Sequence, residues 1–331
     1  MKRPVFLPDN FVLALLGCVA LASVLPARGA VAVGIGGIAN AAVALLFFLH
    51  GARLSREAVV QGLLHWRLHL LVFVATFALF PLVGLSLRPL FEPLVGAPLF
   101  LGLLYVCALP STVQSSIAFT SIGRGNVPAA ICSASVSNLL GIFITPALAG
   151  AMLASGAHAP MSLQSVANIL LLLLLPFVAG QMLRPWVGAW VGRNKDWLKY
   201  VDQGSILLVV YSAFSDAVVQ GLHRQVSLPT LLWVLAACVL LLAAVMCTLM
   251  VASRRLGFDR ADEVAIIFCG SKKSLATGVP MAKILFAGHP IGLIVLPLMV
   301  FHQVQLMVCA FLARRYAQRA EARGLTAVRP G

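Results

Sequence analysis

The chain has 331 residues, of which 61% are hydrophobic and only 10% charged, and its mean hydropathy is +0.99. So few polar side chains cannot cover a water-facing surface, which excludes a soluble globular domain and implies an integral membrane protein. The formal net charge is +14, but Lys and Arg punctuate the apolar runs singly or in small groups, with no basic stripe of interleaved aromatics, and this excludes a nucleic-acid partner.

A window of about 20 residues predicts ten spans in chain order: 11–27, 33–52, 68–87, 98–122, 127–153, 163–183, 202–221, 229–252, 263–286 and 290–313. The first follows Lys2 and Arg3 as a secretory signal would, but it is longer than a usual signal core and Arg28 occupies the cleavage region, so an uncleaved span is the reading. Between the second and third, residues 56–67 read as a short interfacial helix with Trp66 at headgroup level. The fourth span holds Pro110 followed by Ser111, Thr112, Gln114, Ser115, Ser116 and Thr120, and the fifth adds Ser133, Ser135, Ser137 and Asn138. In the seventh, Asp216 is the one carboxylate well inside a span, either a lysine partner or proton relay or a lining residue near the outer mouth.

Arg254, Arg255, Asp259, Arg260, Asp262 and Glu263 read as a solvated loop before the ninth span. That span contains Ser271, Lys272, Lys273, Ser274 and Thr277 between Gly270, Gly278 and Pro280. A lysine at the centre of a spanning helix costs roughly 2.5–3.5 kcal/mol, so the pair faces protein or a water-filled cavity and is a functional candidate. Glycine and proline weaken the helix where polar groups must be accommodated. The tenth span supplies His302, Gln303 and Gln305, and residues 314–331 read as a basic, frayed tail suited at most to anionic lipid.

Sorting the 24 Lys and Arg by side places 18 on one face and only Arg28, Arg88 and Arg224 on the other, leaving Lys272, Lys273 and Lys283 in or near the ninth span. Cytoplasmic loops collect Lys and Arg, so both termini are expected in the cytoplasm of a plasma (bacterial inner) membrane. Ten spans divide into two fives with related polar strings in the fourth and ninth, Ser116-Ile-Ala118 and Ser274-Leu-Ala276. Five is odd, so the second half runs in the opposite sense, an inverted repeat: 1–160, then 161–313, then the basic cytoplasmic tail 314–331. The expected fold is therefore all-α and polytopic, with helices 4 and 9 broken and crossing. The seven cysteines lie in apolar segments without metal-ligand spacing and read as small buried hydrophobes.

Hydroxyls, amides and freed carbonyls suit a hard cation or an anionic oxygen group, and lysines favour an anion. The candidate set for substrate or ion is Ser111, Thr112, Gln114, Ser115, Ser116, Ser135, Ser137, Asn138, Ser271, Lys272, Lys273, Ser274, His302 and Gln303. The bland counterpart is that Ser, Thr and Gln only join helices by hydrogen bonds, that His302 is a core histidine, and that the lysines snorkel. No nucleophile–base–acid set or phosphate loop argues for an enzyme. Three function classes stay open: a secondary transporter of a small organic anion first, a non-transporting membrane regulator with the same fold second, and a membrane enzyme last.

The string Leu45-Leu-Phe-Phe-Leu-His-Gly-Ala-Arg-Leu-Ser-Arg-Glu57, the segment Gly125-Asn-Val127 with Ser135-Val-Ser137 and Thr145-Pro146, and Phe268-Cys-Gly-Ser-Lys-Lys-Ser-Leu275 resemble the bile acid:sodium symporters of solute carrier family 10 over nearly the whole chain. The last string is similar to the branch of member 7 and its bacterial relatives. The resemblance implies a panel domain and a core domain, with the fourth and ninth helices crossing at mid-membrane. It also implies a sodium site, of which Ser115, Ser116, Ser135 and Asn138 keep a polar half. The acidic position of the ninth helix is Ile267 here, its polar positions are Ser271 and Lys272, and the third-helix glutamine falls on Thr76. Without a carboxylate, two ammonium groups would repel sodium. A lysine ammonium, a compact fixed monovalent cation with three donors, is expected to take the metal's place. The second lysine is then expected to face the cavity and bind the anion, and one of the two to exchange protons. No other cofactor is implied, and the oligomeric state is open.

Overall fold

A computed structural model describes residues 10–53, 65–154, 163–221 and 226–327, and all regular structure among them is helical. The helices follow the apolar runs: α1 (Asn10–Val24), α2 (Gly29–Arg53), α3 (Trp66–Ser86), α4 (Arg88–Val95), α5 (Ala97–Ala108), α6 (Val113–Ile122), α7 (Val127–Ala154), α8 (Leu163–Arg193), α9 (Lys195–Val219), α10 (Leu228–Arg255), α11 (Arg260–Gly270), α12 (Leu275–Leu285) and α13 (Ile291–Ala327). Among the described residues, five helices (α2, α3, α7, α10 and α13) are long and apolar enough to cross a membrane. A sixth span results if α5 and α6 are taken together, bent by 64° at residues 109–112. Large apolar side chains such as Leu16, Val33, Leu82, Trp186 and Leu232 point outward, while Val264 to Cys269 are fully buried. That distribution suits a protein whose solvent at mid-height is lipid.

Local chemistry sets the boundaries. Ser227 caps α10 by accepting from the Thr230 N–H at 3.3 Å, Asp259 caps α11 by accepting from Asp262 N–H at 2.7 Å, and Ser274 caps α12 through Thr277 N–H at 3.2 Å. Each satisfies one of the orphan donors of a helix start. The third helix carries a π turn at Ala75–Leu79, where the Phe80 N–H reaches back to the Ala75 carbonyl. The expected interfacial helix at 56–67 falls mostly outside the described residues. The expected frayed tail does not begin at residue 314, because α13 continues its hydrogen-bonded turns to Ala327.

Packing brings three walls together. The second helix lies along α8, α5 along α13, and α1 along α9. The contact of α2 with α8 is backbone against backbone: a Cβ on Gly51 would come within 2.0 Å of the Phe177 carbonyl oxygen, and one on Gly180 within 2.0 Å of the Phe48 carbonyl oxygen. Only glycine permits this approach. Leu49, Ala52, Val191 and Leu198 then form a small apolar cluster that ties in the start of α9.

The loop expected to be solvated is a clasp. Glu263 is 7% exposed; its carboxylate accepts from Tyr316 Oη at 2.6 Å and pairs with Arg254 at 3.0 Å. Beside it, Asn126 donates to Asp262 at 2.7 Å and, through its backbone N–H, to the Ala261 carbonyl at 2.9 Å. A buried carboxylate needs such partners, which sequence spacing alone does not reveal.

Candidate functional site at the helix crossover

The two broken helices meet. Between α5 and α6, Leu109 to Thr112 are extended, and between α11 and α12 the chain unwinds over Ser271–Ser274; the Ser274 N–H donates to the Pro110 carbonyl at 2.9 Å. Proline at 110 offers no N–H to the preceding turn, so the last carbonyls of α5 lose their helical partners. In the interior each must find another.

The accounting closes on specific side chains. The Ala108 carbonyl accepts from Thr145 Oγ1 at 2.8 Å, and that of Ser111 accepts from Asn138 Nδ2. On the opposite strand of the crossing, Ser116 Oγ donates to the Phe268 carbonyl at 2.9 Å and Ser111 Oγ to that of Cys269 at 2.6 Å. Thr112 Oγ1 donates to the Lys273 carbonyl at 2.8 Å. The α11–α12 break is thus satisfied largely by hydroxyls of the other broken helix, and the α5–α6 break by α7 and by groups of the 271–274 segment.

Two carbonyls of α5 remain, and they point at Lys273. Its Nζ donates to the carbonyls of Cys107 at 2.8 Å, Leu109 at 2.7 Å and Thr76 at 2.7 Å. The Thr76 carbonyl is free for a reason legible in the chain: in the π register its donor would be residue 81, which is proline. All three ammonium protons are thus used, with the Phe80 ring 4.1 Å from Nζ as a fourth, cation–π partner. The peptide of Lys273 is held too, its N–H donating to Gln305 Oε1 at 2.9 Å and its carbonyl accepting from Gln305 Nε2 at 3.0 Å. Because that amide nitrogen can only donate, His302 Nδ1, 3.0 Å from it, accepts, and the ring proton sits on Nε2.

Lys272 is the opposite case. It is equally buried, at 0% exposure, but its Nζ has no hydrogen-bond partner among the described residues; it lies 3.8 Å from the centre of the Phe119 ring, with Cys269, Cys309 and His302 as its ionisable neighbours besides Lys273. Neither lysine snorkels. Neither faces the cavity, as one was expected to, because Lys273 is anchored on α3 and α5 and Lys272 is tucked against α6 and α13.

Beside the crossover lies a cavity of about 1080 Å³. Its crossover wall presents Thr112, Gln114, Ser115, Ser135, Asn138, Ser274, Thr277 and His302; the facing wall, from α2, α8 and α9, presents His50, Arg53, Gln181, Arg184, Lys199, Asp202 and Gln203. Of the sequence candidates, Thr112, Gln114, Ser115, Ser135, Asn138, Ser274 and His302 reach the cavity, while Ser111, Ser116, Ser137, Ser271, Lys272, Lys273 and Gln303 lie behind it. Ser137 Oγ accepts from the Ser111 N–H at 3.0 Å and Ser271 Oγ donates within its own helix to Ile267, so both serve the backbone. Asn138 Oδ1 accepts from Thr277 Oγ1 at 3.0 Å. Among the described residues, the buried oxygens without a hydrogen-bond partner are Ser115 Oγ, Thr120 Oγ1, Ser215 Oγ and Gln303 Oε1. Asp216 lies away from the crossover, near Lys283, whose ammonium donates to the Gly36 carbonyl at 3.0 Å.

Gln305, and not the sequence candidate Gln303, holds the Lys273 peptide. Leu298, Phe301, Gln305 and Cys309 recur at the three-to-four spacing of one helix face and are all fully buried, so the stripe itself singles out Gln305. The carbonyl of Thr76 had a weaker signal, the proline five residues on.

An uncharacterised protein of Pseudomonas aeruginosa is 59% identical over 321 residues, covering 97% of this chain and 96% of its own. The Escherichia coli protein named "Putative symporter YfeH" is 55% identical over 315 residues, covering 95% and 94%. The rat protein named sodium/bile acid cotransporter 7 is 32% identical over 275 residues, covering 82% and 80%. With residues 9–318 matching the family as a whole, this integral membrane protein belongs to the SBF-like CPA transporter family.

Proposed function

We propose that the protein is a secondary-active carrier of a small organic anion in the plasma (bacterial inner) membrane, in which the Lys273 ammonium takes the place of a coupling sodium ion. The observation that carries this reading is the set of three carbonyls, one from the π turn of α3 and two from the break after α5, that converge on Nζ at 2.7–2.8 Å. Oxygen ligands from broken helices are what a transported hard cation would need. The cavity's α2–α8–α9 wall, which carries Arg53, Arg184 and Lys199 as well as Asp202, favours an anionic cargo. The frame proposed for this cycle is ten spans in two inverted five-helix repeats, 1–160 and 161–313, with both termini and the 314–331 tail cytoplasmic; the 18-to-3 distribution of Lys and Arg supports it.

The two lysines divide the work. Deprotonating Lys273 would leave one of three buried carbonyls without a donor, whereas deprotonating Lys272 leaves no acceptor unsatisfied. Lys272 is therefore the proton-exchanging group, reached from the cavity by way of His302. No enzymatic step is assigned.

The test is counterflow in proteoliposomes, with labelled cholate, decanoate and naphthalene-2-sulfonate as probes and sodium replaced by choline. Saturable counterflow of at least one anion, unchanged in choline, is expected. Absence of counterflow for all three would favour a non-transporting regulator, and steep sodium dependence would remove the lysine substitution.

A further inference from the structure

The two ends of α2 and α9 are in opposite conditions. In the frame proposed above, the cavity lies in the cytoplasmic half: its lining on α2 runs from Phe47 to Arg53 and on α9 from Lys199 to Ile206. The outer halves of the same helices are shut against the body that carries the crossover. Ala213 and Ala217 of α9 pack so closely on α13 that a Cβ on Gly292 would come within 2.9 Å of the Ala213 carbonyl oxygen. Next to Ala217, Asp216 faces the ammonium of Lys283, which donates to the Gly36 carbonyl of α2 at 3.0 Å. A lysine in the last turn of a helix ordinarily faces its own C-terminal carbonyls. Lys283 stands in the last turn of α12 yet crosses to the body formed by α1, α2, α8 and α9, and meets two of its helices at once.

The acceptor sits on a segment that can give way. Gly36 belongs to Gly34-Ile-Gly-Gly37, and a Cβ on any of these three glycines would meet nothing within 4 Å, so packing does not require them. They weaken the helix all the same. Toward the cytoplasm α2 is pinned on α8 at Gly51, so its outer half is the part free to bend, about residues 34–37.

We propose that Lys283 is the outer latch of the carrier: its bond to the Gly36 carbonyl, backed by Asp216, holds the outer ends of the two bodies together while the cavity faces the cytoplasm, and parts when the cavity opens outward. This rests on the carrier reading above and adds to it the residue that sets the balance between the two orientations. A hydrogen bond from a charged donor is worth roughly a factor of ten in a two-state equilibrium, so its loss moves the population toward the outward-open form by about that factor.

The test is hydrogen–deuterium exchange of the full chain in phosphatidylcholine nanodiscs, run beside the counterflow assay. Lys283→Met should speed exchange at residues 34–40 and 212–219 by about tenfold and slow it at the cavity-lining ends, 47–53 and 199–206. Lys283→Arg keeps a charged donor and should leave both ends unchanged. Asp216→Asn keeps the Gly36 bond but weakens its backing, and should shift both ends in the same directions to a smaller degree. Exchange unchanged at the outer ends of both Lys283→Met and Asp216→Asn, or raised at both ends as simple loosening would raise it, would overturn the latch and leave the carrier reading to its own assay. Opposite changes at the two ends without counterflow of any anion would keep the latch and overturn the carrier reading.

Discussion

Replacing Lys273 by methionine should destabilise the protein strongly, while the same change at Lys272 should be neutral or stabilising. Methionine matches the length of the lysine stem but donates nothing, so the carbonyls of Thr76, Cys107 and Leu109 would be stranded. An unsatisfied buried carbonyl costs about 1–3 kcal/mol. Three stranded carbonyls together cost about 3–9 kcal/mol on that scale, and relief from burying the ammonium offsets part of this. Among the described residues, Lys272→Met strands no acceptor and removes a buried charge that has no hydrogen-bond partner and lies against the Phe119 face. Thermal unfolding in one detergent should therefore show Lys273→Met several degrees below the unchanged protein and Lys272→Met at or above it. Equal effects at the two positions would contradict the division of roles. Arginine should not rescue position 273, since its planar fork is too large for a niche shaped by three converging carbonyls.

Lys272→Met should instead abolish coupling to protons. If the Lys272 proton travels with a monovalent anion, the step is electroneutral, and each unit of pH gradient, acid outside, supports about a tenfold accumulation, the equivalent of about 1.4 kcal/mol. In proteoliposomes the unchanged protein should concentrate the anion under such a gradient and lose that ability when a protonophore is added. Lys272→Met and Lys272→Arg should both lose it, the first having no site for a proton and the second never releasing one. Accumulation that survives in Lys272→Met would place the exchanging group elsewhere, with His302 the first alternative.

Much of the frame was legible because membrane physics is simple at this level. Apolar runs of about 20 residues give spans, and the interruptions at Pro110 and at Gly270 to Ser274 follow from residues that cannot continue a helix across polar chemistry. Tertiary bookkeeping was not legible. Lys272 and Lys273 are identical in sequence terms, and only the directions of their side chains from an unwound segment separate the saturated ammonium from the bare one. Of the predicted serines and threonines, Ser111, Thr112 and Ser116 satisfy carbonyls of the partner helix, as the bland reading of such residues holds, while Ser137, Ser271 and Ser274 serve backbone groups nearer to hand. Gln303 is the sequence candidate on the tenth span, but Gln305 does the holding, because Gln305 lies on the buried stripe of α13. The basic wall of the cavity was read as topology charge, since Arg53, Arg184 and Lys199 are far apart in the chain and meet only through the close packing of α2, α8 and α9.

The central claim, a built-in ammonium where a sodium ion would sit, is tested most directly by the thermal unfolding midpoint of the full chain titrated with sodium against potassium at constant ionic strength. A ligand bound only by the native state at one hundred times its Kd stabilises by about 2.7 kcal/mol, so an intact sodium site would be visible as a saturable, sodium-specific rise. The account predicts superimposable curves in the two salts for the unchanged protein. A sodium-specific rise in the unchanged protein would show that the metal still binds beside Lys273 and would contradict the claim.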